Sequence, residues 1–296
     1  MTENTITRSG FVGIIGAPNA GKSTLLNHIL GQKISITSKK PQTTRDRILG
    51  ILNRPCSQIV FLDTPGIHRR STLLNQRIVD QAIQTMVDVD LILFMVDSAA
   101  RNYSAEKLII NRLASVKKPV ILGMNKIDIS HKSDVYKIVD EYQGLYPFNA
   151  IVPVSAKTGV QVENLLTEIE NCLPKGPALY PEETFTDMSE KFMVSELIRE
   201  KVFRLTGMEI PYSSAVTVDA FEVEKKLIVI HASIHLVRKS QKGIIIGKGG
   251  GMLKRIGASA RKDIEAMLGT KVLLKLFVKV TRDWVSNSRH LSEFGY

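Results

Sequence analysis

Residues Gly16-Ala17-Pro18-Asn19-Ala20-Gly21-Lys22-Ser23 set two glycines, a lysine and a hydroxyl at the spacing G-x-x-x-x-G-K-S, directly after the apolar run Phe11-Val12-Gly13-Ile14-Ile15. A loop of this kind between a strand and a helix start curls consecutive backbone N–H groups around a polyphosphate, with the positive end of the helix aimed at it. Gly16 and Gly21 permit dihedrals and close approach that a Cβ would block. Lys22 would reach the β- and γ-phosphates. Ser23 would offer its hydroxyl to Mg²⁺, with phosphate oxygens and waters completing the shell, and Thr24 adds a further hydroxyl beside it.

Four more segments supply what a guanine nucleotide and its metal need. In Asp63-Thr64-Pro65-Gly66 the carboxylate can hold Mg²⁺ through a water, and the Gly66 N–H can sense the γ-phosphate. In Asn125-Lys126-Ile127-Asp128 the Asp128 carboxylate can accept from guanine N1–H and the 2-amino group. Adenine has neither donor, so a buried carboxylate there would lose both bonds and reject it. In Ser155-Ala156-Lys157 a backbone N–H can meet guanine O6. Finally Thr43-Thr44-Arg45 lies in the long polar loop 37–47, where Thr44 could cap the Mg²⁺ shell only while the γ-phosphate is present. The position after Gly66 is Ile67, an apolar side chain that cannot orient a water, so intrinsic turnover is expected to be slow.

These segments must be positioned by strands. Val12–Ile15, Ile59–Leu62, Leu91–Val96, Val120–Met124 and Ala150–Val154 are short, continuous and apolar, as in a parallel sheet buried on both faces with helical crossovers. The segments follow the strands at their carboxyl ends, where ligands of open α/β sheets sit. Residues 174–187 carry three prolines and a glycine and read as a linker. The sequence therefore predicts domains at 1–173 and 188–296. The second reads α-β-β-α-α-β: a helix at 189–205, strands at 214–224 and 226–237, a short helix at 241–246, a helix at 251–268 and a strand at 271–280. The tail Trp284 to Tyr296 is expected to pack Trp284 and Phe294 onto that sheet.

Net charge is +11. Residues 225–282 hold 14 Lys/Arg and 2 Asp/Glu, net +12, a concentration that suggests a polyanion partner, nucleic acid or an anionic membrane surface. No apolar run approaches the roughly 18–20 residues needed to span a bilayer. Cys56 and Cys172 form no metal-ligand cluster and read as reduced thiols of a cytosolic protein. The six histidines show no ligand spacing, and His68 beside Ile67 reads as a solvated loop residue.

In order along the chain, the nucleotide segments resemble the signature of the translation-factor class of P-loop GTPases over residues 11–173. Within the basic window, Ile246-Gly247-Lys248-Gly249-Gly250-Gly251-Met252-Leu253 fits I-G-x-x-G-x-x-L, the heart of a KH domain of type II. Such a loop clamps about four single-stranded nucleotides beside the sheet. Gly247, Gly249 and Gly250 would lie at the sugar-phosphate backbone, Lys242, Lys248, Lys254 and Arg255 would supply charge, and Ile245 and Ile246 an apolar floor under the bases.

A GTPase domain followed by a KH domain resembles the Era family of bacterial GTPases, in the TrmE–Era–EngA–YihA–Septin class, over nearly the whole chain. The resemblance implies an α/β P-loop GTPase domain with a parallel sheet, followed by a smaller α+β type II KH domain. It implies GTP and GDP as ligands with Mg²⁺ at Ser23, Thr44 and Asp63, and catalysis resting on Lys22, Asn19, Thr44 and Gly66. It further implies binding of the 3′ end of 16S ribosomal RNA during maturation of the small ribosomal subunit, and a cytoplasmic protein with a peripheral inner-membrane fraction. An asparagine at Asn19 often accompanies a bound potassium ion in such GTPases; Asn19 could equally be a turn former. Ala17 and Ala20 depart from the family pattern where side chains are expected to be free. Nothing in the sequence argues for more than a monomer.

Two other readings compete. A membrane-surface GTPase would need the charge but not the glycine clamp. A metabolic kinase would use the P-loop but not Asp128.

Overall fold

Runs of Val, Ile and Leu too short for a helix become the strands of a central sheet, and the amphipathic stretches between them cover it. The computed structural model describes residues 7–38, 40, 43–67, 73–207 and 209–296. The chain divides into two compact units, residues 1–70 with 77–187 and residues 71–76 with 188–296.

The first unit runs β1 (Arg8–Gly16), α1 (Lys22–Leu30), β2 (Ile48–Arg54), β3 (Ser57–Asp63), α2 (Leu73–Asp88, of which residues 77–88 fall in this unit), β4 (Leu91–Asp97), α3 (Tyr103–Leu113), β5 (Val120–Asn125), α4 (Lys132–Leu145), β6 (Ala150–Pro153) and α5 (Val162–Cys172). The sheet order is β2-β3-β1-β4-β5-β6. Strands β3, β1, β4, β5 and β6 are parallel. Strand β2 corrects the all-parallel expectation: it pairs antiparallel with β3 across the tight turn at Pro55-Cys56, Ile48 opposite Asp63 and Arg54 opposite Ser57. Every residue of β3, β4 and β5 is buried, as strands covered on both faces require.

Residues 178–187, within the predicted linker, contain no helix or strand yet are tied to the first unit. The Gln58 side chain accepts from Leu179 N at 2.7 Å and Tyr180 N at 2.9 Å. Ile51 N donates to Phe185 O at 2.9 Å, and Thr186 Oγ1 donates to Leu49 O at 2.7 Å. The segment thereby covers the outer edge of β2, which would otherwise expose unpaired backbone groups.

The second unit runs α6 (Glu190–Leu205), β7 (Ser214–Val223), β8 (Ile228–Leu236), α7 (Lys239–Ile246), α8 (Gly251–Leu268), β9 (Val272–Val280) and a terminal α9 (Ser288–Glu293). This is the predicted α-β-β-α-α-β order with a short added helix. Strand order is β7-β8-β9, antiparallel then parallel. The core takes alternate residues of β8 (Ile228, Ile230, Ala232, Ile234, Leu236) and every fourth residue of α8 (Ile256, Ala260, Ile264). Trp284 is fully buried, its Nε1 donating to Ser213 O at 3.1 Å, and its ring meets Phe294 edge-on at 5.4 Å. The tail therefore packs, as its aromatics suggest.

Candidate functional site

The carboxyl ends of β1, β3, β5 and β6 deliver the nucleotide segments to one rim. β1 ends at Gly16, and the loop enters α1 through Gly21, at φ +95°. A Cβ on Gly21 would stand 2.0 Å from Asn125 Nδ2, and one on Gly16 would stand 2.4 Å from Met95 O, so both positions demand glycine for space. Asn19 also adopts a left-handed conformation, φ +64°, one that asparagine tolerates. Ala17 and Ala20 are buried, which corrects the expectation that their side chains are free: little room exists for anything larger.

Lys22 is buried, and its Nζ donates to Gly16 O at 3.2 Å and Ala17 O at 3.0 Å, bridging the loop it follows. Burial pulls its pKa down to about 8, opposed by the Asp63 carboxylate. Burial pushes Asp63 up, against the pull of Lys22 and hydrogen bonds from Ser23 and Ser35. Asp63 Oδ2 accepts from Ser23 Oγ at 2.6 Å and Ser35 Oγ at 2.9 Å, while Ser23 Oγ lies 2.8 Å from Thr44 Oγ1. Asp63 Oδ1 is buried with no hydrogen-bond partner among the described residues. Two hydroxyls and a carboxylate with a spare oxygen are the hard donors that Mg²⁺ prefers, so the residues present fit that ion.

Asn125 joins the separate segments. Its Nδ2 donates to Ala20 O at 2.8 Å, and its Oδ1 accepts from Lys126 N at 2.8 Å and Ala156 N at 2.9 Å. The phosphate loop, the Asn125–Asp128 segment and the Ser155–Lys157 segment are thus pinned through one side chain. Ser155 Oγ donates to Asp128 Oδ1 at 2.7 Å, orienting the carboxylate. Asp128 is exposed, contrary to the buried carboxylate expected, so this hydrogen bond rather than desolvation fixes its aim. Ile127 is half-buried and Lys157 exposed.

Thr64, Pro65, Gly66 and Ile67 are all buried; Thr64 Oγ1 donates to Ile14 O at 2.8 Å, and a Cβ on Gly66 would stand 2.6 Å from Pro18 N. Ile67 is wholly inaccessible, so its side chain has no means of touching a water at the phosphates. A cavity of about 720 Å³ is lined by residues that include Pro18, Asn19, Lys22, Ser23, Thr24 and Thr44. His68 lies outside the described residues.

Sequence reasoning missed Ser35, Asp97 and Asn27. Asp97 ends β4 as Asp63 ends β3, a signal that was available; it forms an ion pair with Lys126 and accepts from the N–H groups of Ala99 and Ala100. Asn27 accepts from Ile34 N and Ser35 N, fixing the stretch that brings Ser35 to Asp63.

In the second unit, Gln241 fastens the start of α7 by accepting from Val237 N and Arg238 N, both at 3.1 Å. The helix ends at Gly247 with φ +73° and ψ 174°, a conformation essentially reserved for glycine, where a Cβ would meet Met252 Cβ at 2.8 Å. Gly249 and Gly250 are also left-handed, and the loop opens onto the N-terminus of α8. Beside it, a groove of about 470 Å³ runs between α8 and β9, lined by Gly250, Leu253, Lys254, Arg261, Leu274 and Leu276 among others. Lys248, Lys254 and Arg255 are exposed, and Lys242 and Ile246 are half-buried. Ile245 corrects the expectation of an apolar floor: it is fully buried in the core, and Leu274 and Leu276 line the groove instead. Arg261 was missed, though it lies seven residues after Lys254 on the same helix face.

Fold and site together define a P-loop GTPase domain carrying a type II KH module. The chain matches the family described as 50S ribosome-binding GTPase over residues 11–126 and the KH domain family over residues 209–285. It is 54% identical to GTPase Era of Geobacter sp. (strain M21), covering 98% of each chain, and 53% identical to GTPase Era of Geotalea uraniireducens (strain Rf4) over the full length of both. A crystal structure of an Aquifex aeolicus Era variant bound to GDP and AlF4⁻ superposes with a TM-score of 0.94 at 40% identity, covering 98% of this chain and 99% of that one. A structure of Era with MgGDPNP and nucleotides 1506–1542 of 16S ribosomal RNA superposes with a TM-score of 0.95 at the same identity and coverage. The chain belongs to the Era family of GTPases.

Proposed function

We propose that this chain hydrolyses GTP and uses its KH groove to hold the 3′ end of 16S ribosomal RNA during maturation of the small ribosomal subunit. The observation that carries this reading is the glycine loop at Gly247–Gly250 opening onto a groove flanked by Lys254 and Arg261, in the same chain as a guanine-type P-loop. The end-to-end likeness to an Era–RNA complex supports it.

In the first unit, Asp128 and the Ser155 loop select guanine, and Lys22 neutralises the β- and γ-phosphates. Mg²⁺ at Ser23, Thr44 and Asp63 would stabilise the charge that develops on the transferred group. Thr44 and the Gly66 N–H respond to the γ-phosphate, so the two loops that carry them differ between GTP and GDP states. With Ile67 buried, the water must be activated elsewhere. Asn19, at the mouth of the cavity, is suited to hold a potassium ion there. Linkage then requires RNA to alter nucleotide affinity by the same factor as nucleotide alters the grip on RNA, and the same coupled loops are expected to change turnover.

The test is GTP hydrolysis by the full chain in potassium and in sodium buffer, with and without an RNA bearing the small-subunit 3′ end. Faster turnover with RNA is expected, and faster still with potassium. An RNA-independent rate would sink the coupling, and a potassium-independent rate the ion site. No helix among the described residues is long and apolar enough to cross a membrane. We place the protein in the cytoplasm as a monomer, with a peripheral inner-membrane fraction held through its basic surface.

A further inference from the structure

The groove uses one face of β9 only. Side chains alternate along the strand: Leu274 and Leu276 line the groove, whereas Leu273, Lys275, Phe277 and Lys279 belong to the opposite face. On that outer face β8 places His231 beside Lys275 and Ser233 beside Phe277. The rings of His231 and Phe277 are 6.0 Å apart at a 58° tilt. Phe277 is 48% exposed and Leu273 45%. The core residues of α6 and α8 pack against the other face of the sheet. The C-terminal tail covers the far end alone, where Phe294 lies 4.3 Å from His235.

Charge follows the same face. Lys271, one residue before β9, and Lys275 and Lys279 along it recur at every second outward position. Lys279 is paired with Asp219 at 3.2 Å, and Lys275 makes no ion pair among the described residues. A lone exposed apolar residue needs no explanation. An aromatic pair on two adjacent strands, framed by lysines and set on the back of a nucleic-acid groove, is a different arrangement. Unpaired bases stack on exposed aromatic rings regardless of sequence, and lysines beside the rings meet their phosphates.

We propose that this outer sheet face is a second contact for the unpaired RNA strand that fills the groove. β9 is the edge strand of its sheet, so a strand leaving the groove rounds one β-strand to reach it. Bases beyond the groove stack on Phe277 and His231, and Lys275 and Lys271 meet the phosphates. The inference rests on the RNA-binding reading above and extends it from clamping about four nucleotides to tracking a longer tail.

The experiment compares the full chain with two single-stranded RNAs at one fixed salt. One is short, about six nucleotides of the small-subunit 3′ end, sized to the groove; the other extends it to about twelve. The wild type should bind the longer strand more tightly. Phe277→Ala should cut that advantage about tenfold while leaving the short strand unchanged, and Phe277→Tyr should restore it. Lys275→Glu should reduce the advantage without touching the Phe277 ring. Trp284 fluorescence confirms that the variants remain folded. An unchanged ratio in Phe277→Ala overturns the proposal. So does a loss confined to phosphatidylglycerol vesicles with the RNA ratio intact, which would make the face a lipid surface. If the wild type binds neither RNA, the underlying RNA reading fails instead.

Discussion

The nucleotide site and the KH groove are both suited to phosphates, yet they are built in opposite ways. In the first, Lys22 and Asp63 are buried, and Asn125 ties three segments together through side-chain hydrogen bonds. In the second, Lys248, Lys254 and Arg255 are exposed to solvent, and the loop is held by backbone turns and glycine dihedrals. A site that must choose one small ligand gains from preorganised groups in a water-poor setting, where each misplaced atom costs much. A surface that binds a polymer gains from many modest, screened contacts that add along the strand. Single substitutions should therefore be severe in the first and graded in the second.

The largest effect is expected from Gly21→Val. A branched side chain at a φ of +95°, with even its Cβ 2.0 Å from Asn125 Nδ2, displaces the residue that joins the three segments. Calorimetry should find GTP affinity lost by a factor on the order of a thousand or more, with RNA affinity largely kept. Next is Asp128→Ala, which should lower the preference for GTP over ATP by at least about a hundredfold; an unchanged ratio in competition binding would refute the guanine assignment. Gly250→Asp should follow, weakening RNA binding by roughly fifty- to a hundredfold by putting a carboxylate and a strained φ where a phosphate belongs. Vesicle binding, measured in parallel, should change far less.

A smaller effect is expected from pH. Burial first, then Lys279 and His290, pull His235 from 6.5 to about 4, with Asp219 opposing. The unfolded chain therefore takes up the extra proton between these values. Stability should be complete above about 6.5 and decline as pH falls toward 4, by about 2 kcal/mol once solvent screening is allowed for. Denaturant unfolding followed through Trp284, the single tryptophan, reports on this unit. The mildest is Lys254→Ala, which should cost RNA affinity only severalfold and reduce the slope of log affinity against log salt by about one. A hundredfold loss there would mean that the groove, too, is a preorganised site, and the contrast would collapse.

The nucleotide segments were legible because backbone-phosphate chemistry permits few residues at each position, so type and spacing suffice. The two sheets were legible where periodicity is strong, as in β9 and α8. Strand β2 was not, because an antiparallel edge strand beside Pro55-Cys56 looks like part of the loop before it. The linker is legible only as a break, since prolines show what a segment cannot form and not what it binds. Adjacent isoleucines look alike in sequence, so Ile245 reads as a floor under the bases; helix phase turns Ile245 into the core and leaves Ile244 half exposed.

By itself the sequence determined which residues could do chemistry: the spacing of a phosphate loop, a carboxylate placed as guanine selection would require, and a basic glycine loop in a module of fixed element order. Only the tertiary structure decided which side chains share a surface, because that depends on strand register and helix rotation. Through those it brought Ser35 to Asp63 and Asn125 to three separate segments, and turned one face of β9 to the groove and the other outward.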